Sequence, residues 1–145
     1  MSPLAVVLLS VFSHASLGHL ASNVAMLLVV APRVLCTLQW WRFGLLFLVS
    51  GLVANAGAAA LLDRPVIGSS GAVAGVMAAY LALFPRERVS QLIGLWIALQ
   101  FVFALVRLDF GDVAWPAHIV GAIAGASLSV ALRWGPSRRG ACPTR

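Results

Sequence analysis

Residues 68–84 read Gly68-Ser69-Ser70-Gly71-Ala72-Val73-Ala74-Gly75-Val76-Met77-Ala78-Ala79-Tyr80-Leu81-Ala82-Leu83-Phe84. From Ser70 onward the run carries no charge, and Pro85-Arg86-Glu87-Arg88 stops it. It lacks the period-two alternation of a strand and reads as a helix. At 1.5 Å per residue such a helix is roughly 22 Å long, against a bilayer hydrocarbon core of about 30 Å. With its Pro85 end at one membrane surface, its Ser70 end stops about 8 Å below the other. A polar group held at that depth costs free energy, which makes it a functional candidate.

The rest of the chain supports the membrane reading. Of 145 residues, 61% are hydrophobic and 10% charged, with mean hydropathy +0.99. A soluble domain is near 45–50% apolar and about 25% charged. All the arginines and acidic residues fall outside five apolar stretches: 13–31, 43–62, 70–84, 89–106 and 114–132. Four are long enough to span as helices, and the third is short. A membrane barrel would need more segments, each alternating. The expected fold is an all-α, polytopic bundle over residues 1–135, followed by a cytoplasmic tail, 136–145. Turn signals separate the runs at Pro32-Arg33, Asp63-Arg64-Pro65, Pro85 to Arg88, and Asp109 to Asp112. The apolar N-terminus, Met1 to Phe12, has no positive n-region and does not read as a signal peptide; it is too short to cross a bilayer as a helix.

The net charge of +6 comes entirely from arginine. These arginines lie between apolar runs rather than in a patch, so they set topology and do not imply nucleic acid as a partner. With five spans, Arg33, Arg42, Arg86, Arg88, Arg133, Arg138, Arg139 and Arg145 share one side, and the positive-inside rule makes that side cytoplasmic. Trp40, Trp41 and Trp134 then mark the inner interface and Trp115 the outer one. The expected location is the plasma (inner) membrane, with membrane lipid as surroundings. Cys36 and Cys142 are far apart and form no CxxC pattern, so neither a metal site nor a disulfide framework is expected, and no cofactor is expected either.

Three polar groups converge on the outer side in this topology. His14, His19 and Asn23 lie at the head of the first stretch, Ser70 at the head of the third, and His118 about one turn into the fifth. A serine hydroxyl becomes nucleophilic when a base takes its proton, and histidine suits that near neutral pH. His19 and Asn23, spaced i and i+4, share a helix face and can both donate hydrogen bonds. Gly71 and Gly75 on one helix, and Gly121 and Gly125 on another, form small-xxx-small faces that let two backbones approach. Ser69, beside Ser70, is expected to cap the helix. Asn23 also fits an interhelical hydrogen-bonding role, and His14 either an interfacial one or ordering of the loop above the site.

The blocks His14-Ala-Ser-Leu-Gly-His19-Leu-Ala-Ser-Asn23, Gly68-Ser-Ser70-Gly71 and Ala117-His118-Ile-Val-Gly121-Ala-Ile-Ala-Gly125, together with Leu83-Phe84-Pro85-Arg86, resemble the rhomboid family of intramembrane serine proteases. The resemblance covers residues 3–135. It implies Ser70 as nucleophile, His118 as base, and His19 and Asn23 as oxyanion-hole donors. The substrates it implies are single-span transmembrane proteins, cleaved near the outer face. Two departures stand out. The family core has six helices and this chain shows five apolar stretches, so the first helix is expected to be missing. Many members carry an aromatic four residues after the nucleophile, packed on the histidine; here that position is Ala74, which should leave His118 less constrained. The alternatives are a non-catalytic membrane protein of this fold that holds client helices, or an inactive, N-terminally truncated product.

Overall fold

The computed structural model describes residues 3–107 and 113–133. Within them lie six helices: α1 (Pro3–Phe12), α2 (Leu17–Leu38), α3 (Trp40–Leu62), α4 (Ser70–Leu83), α5 (Arg88–Leu105) and α6 (Trp115–Leu132). α2, α3, α5 and α6 are long and apolar enough to cross a membrane, and α4, at 14 residues, is shorter. The last three expected stretches agree with α4, α5 and α6 to within about a residue at each end. α1 is a sixth helix that the hydropathy pattern did not define, and its ten residues are too few to span. The expected tail 136–145, Trp134, and the turn residues Asp109 to Asp112 lie outside the described residues.

One boundary differs from expectation. Pro32-Arg33 reads as a turn, yet α2 continues through both to Leu38. Membrane helices tolerate an internal proline because neighbouring groups satisfy the freed backbone. Arg33 is also held where it is: it pairs with Glu87, and its guanidinium lies 4.5 Å from the Phe84 ring centre. The turn comes instead at Gln39, whose φ of 72° is rare for a side-chain-bearing residue and has no Gly or Pro to announce it.

α4 is the centre of the bundle and packs against α2, α3, α5 and α6, while α1 lies against α3. Its residues from Gly71 to Tyr80 are all buried. At the Pro85 end the core is bulky, with Val30, Val34, Leu38, Leu46, Val76, Met77, Tyr80 and Ile93 packed together. At the Ser70 end it thins to Ala54, Ala58 and Ala117. Small residues there let backbones touch. A Cβ added at Gly121 would collide with the Gly71 carbonyl oxygen, and one at Gly125 with the Gly75 backbone. The expected pairing of the two glycine faces is therefore present as direct backbone contact. α3 supplies a third small-residue stripe: Ala54 abuts Gly71, and Ser50 abuts Gly75. Lipid offers no hydrophobic drive for helix association, so close dispersion contact of this kind is what holds the seam. The Ser50 hydroxyl is buried in that seam without a hydrogen-bond partner.

Candidate active site

The turn before α4 is fixed from two sides. Gly68 has φ 123°, a conformation that side-chain-bearing residues rarely adopt. Its N–H donates to the Ser10 carbonyl at 2.7 Å. Its carbonyl accepts from Asn55 Nδ2 at 3.3 Å, and the same amide donates to Ser10 Oγ at 3.1 Å. The end of α1 and the middle of α3 thus hold the peptide that delivers Ser69 and Ser70. A Cβ at Gly68 would lie 3.1 Å from His19 Cε1, so glycine also makes room for that ring.

Ser69 occupies the N-cap position of α4, but its side chain makes no capping bond, contrary to expectation. Its hydroxyl has better partners. Asn23 Nδ2 donates to Ser69 Oγ at 3.2 Å, and His14 Nε2 lies 2.9 Å from the same oxygen. His14 Nδ1 is 3.0 Å from the Phe12 carbonyl, which can only accept. Nδ1 therefore carries a proton, and in a neutral ring Nε2 accepts from the Ser69 hydroxyl. His14, placed in the linker between α1 and α2, is in this way tied to the head of α4, as loop ordering requires. Asn23 keeps one further N–H after serving Ser69.

His118 is the fourth residue of α6 and is buried. Its Nδ1 lies 2.7 Å from Gln100 Oε1 on α5. Its ring packs on Trp96 at 5.5 Å between centroids, tilted by 36°, and meets Trp115 edge-on at 6.0 Å. The expectation that Ala74 leaves this imidazole less constrained is therefore wrong. Ala74 is fully buried, and Trp96, from a different helix, packs against the ring.

A cavity of about 550 Å³ opens at this end of the bundle. Its walls include His19, Asn23, Ser70 and His118, the four residues singled out from sequence, together with Trp96 and Met77. Among the described residues, no hydrogen bond joins Ser70 to His118; the two share a wall. His14 stands behind this wall, His19 edge-on to it at 5.6 Å between ring centroids. Sequence reasoning missed Gln100, Trp96 and Asn55. Gln100 and Asn55 were legible only as polar residues inside otherwise apolar runs, a signal that intramembrane polarity makes meaningful.

A Rhomboid domain matches residues 4–135. The chain is similar to human "Rhomboid-related protein 3", 30% identical over 116 residues, which cover 72% of this chain and 26% of that protein. It is also similar to "RHOMBOID-like protein 6, mitochondrial" of Arabidopsis thaliana, 29% identical over 128 residues, 85% of this chain and 42% of the relative. The chain thus spans well under half the length of these curated relatives. No solved structure matches it. With the domain match running almost the whole length of a bundle of apolar helices, the chain belongs to the rhomboid family of integral membrane proteins.

Proposed function

We propose that the protein is an intramembrane serine endopeptidase that cleaves single-span membrane proteins near the outer face of the bilayer. The observation that carries this reading is the shared cavity: a serine at a helix head and a buried histidine, from two helices in backbone contact, line it with two hydrogen-bond donors. In the proposed reaction Ser70 Oγ attacks the scissile carbonyl while His118 takes its proton. The carbonyl oxygen becomes an oxyanion, stabilised by the remaining N–H of Asn23, by His19, and by unpaired N–H groups at the start of α4. His118 then gives the proton to the leaving amine. Water enters through the cavity mouth and repeats the sequence on the acyl-enzyme.

A substrate helix must unwind locally, because helical carbonyls are already hydrogen-bonded. Substrates with helix-weakening residues near the outer interface are therefore favoured. The arginine distribution supports a cytoplasmic C-terminus and a cavity that opens outward. The plasma (inner) membrane is the proposed location; the name of the Arabidopsis relative makes a mitochondrial membrane the alternative to test by localisation.

The test is the full chain in liposomes, challenged with a fluorophosphonate and with a single-span substrate. The parent should label and cleave, and Ser70→Ala should do neither. Asn23→Ala should cleave about 10²–10³-fold more slowly. Cleavage by Ser70→Ala would overturn the assignment. A folded parent that neither labels nor cleaves would favour the non-catalytic, client-holding reading.

A further inference from the structure

Gln100 lies in the middle of an apolar helix and is almost fully buried, 3% exposed. Both ends of its amide are occupied. Nε2 donates to the Trp96 carbonyl oxygen at 3.3 Å, one turn back on α5, and Oε1 lies 2.7 Å from His118 Nδ1. These two contacts determine a proton position. A carbonyl only accepts, so the amide group facing Trp96 is the NH₂ and the group facing His118 is the oxygen. An amide oxygen also only accepts, so His118 Nδ1 must be the donor. In a neutral imidazole the lone pair then resides on Nε2.

That assignment has a consequence for the proposed Ser70–His118 pair, on which it rests. The tautomer with a proton on Nδ1 is the one in which Nε2 can accept from a serine hydroxyl. An orienting group on Nδ1 is what a triad carboxylate supplies elsewhere. Among the described residues the acidic side chains are Asp63 and Glu87, and neither bonds His118, whose Nδ1 partner is Gln100, so no described carboxylate plays this part. The geometry points to Gln100 as the positioning residue of the base: an uncharged partner that sets the His118 tautomer, while Trp96, on the same face of α5 at i and i+4, holds the ring. The Ser70 proton moves to Nε2 and on to the leaving amine, and the Nδ1 proton stays on its nitrogen, donated to Gln100, throughout. An amide oxygen holds that N–H without placing a full negative charge beside the imidazolium.

The test uses the full chain in liposomes and reads the rate of fluorophosphonate labelling across pH, with Ser70→Ala and His118→Ala as controls. Gln100→Leu keeps the bulk and removes the acceptor; it should label about ten-fold slower or more, because the imidazole loses its fixed tautomer and orientation. Gln100→Glu restores an acceptor and adds charge; it should label, with the acid limb of the profile moved to higher pH, because a carboxylate favours the imidazolium. Controls that lose labelling while Gln100→Leu matches the parent in rate and profile would overturn the role of Gln100 and leave the dyad standing. Controls that label like the parent would overturn the dyad and this role with it. Should Gln100→Leu fail to fold, Gln100→Glu decides alone: an acid limb in the parent's position sinks the proposal.

Discussion

α4 and α5 are neighbours, yet they are held by opposite means. α4 is buried on every side from Gly71 to Tyr80, and its glycines bring its backbone against that of α6. α5 buries only Ser90, Ile93 and Gln100, and Leu92, Leu95, Leu99, Phe101 and Val102 face outward. The first helix carries the proposed nucleophile and the second the partner of the proposed base. Backbone contact fixes a position closely but tolerates no added atom. Side-chain reach fixes an orientation and leaves the rest of the helix free to vary. The proposed site therefore depends on α4 for placement and on two α5 side chains, Trp96 and Gln100, for alignment.

The largest effect should come from adding atoms to the α4–α6 seam. Gly121→Val drives a side chain into the Gly71 carbonyl, which has nowhere to go. The expected cost is about 3 kcal/mol or more, at the upper end for overpacking, read as loss of monodisperse protein or of a cooperative thermal transition in detergent. A variant that melts within a few degrees of the parent would show that the seam can spread, and the contrast with α5 would fail.

A smaller loss is expected from Ala74→Phe. Ala74 is fully buried and Trp96 already packs on His118, so the new ring should strain the core by about 1–3 kcal/mol without raising turnover. Faster cleavage at unchanged stability would show room beside the imidazole that Trp96 does not use. Ser50→Ala should act in the other direction. Its hydroxyl is buried without a partner, so removing it is expected to be neutral or to stabilise by up to about 1 kcal/mol in reversible unfolding. Leu95→Ala, on the outward face of α5, should stay within about 0.5 kcal/mol of the parent. A clear destabilisation there would mean that α5 is seated more firmly than its exposure suggests.

Much of this arrangement was legible in the residues. The uncharged runs marked four long helices and a short one, because charge in a bilayer is costly enough to leave a clear gap pattern. The glycine pairs announced the α4–α6 approach, because only a missing Cβ permits it. Ser70, His118, His19 and Asn23 could be expected at one end of the bundle from the alternation of the spans and their places near helix heads, and they line one cavity. Other features had no local signal. Gln39 makes its turn without glycine, and Pro32 sits inside a helix that its neighbours support. Ser69 lost its expected capping role to His14, a partner 55 positions away. The packing on His118 depends on how α5 is rotated, which periodicity does not fix in a helix that is apolar all round; Ala74 therefore looked like a gap when Trp96 fills the need from another helix.

The fastening at the Pro85 end gives α5 a mechanical character. There Glu87 joins Arg33 of α2 and the Tyr80 hydroxyl of α4 at 2.6 Å, and Ser90 Oγ donates to the Phe84 carbonyl at 2.6 Å. At the cavity end α5 is held by the Gln100–His118 hydrogen bond at 2.7 Å and by ring packing of Trp96 on His118 and of Phe103 on Trp115. α5 is thus fastened by side chains toward both ends, with Gln100 roughly 20 Å from Glu87 at 1.5 Å per residue. The proposed partner of the base thus sits on a helix that is pinned to α2 and α4 at its other end.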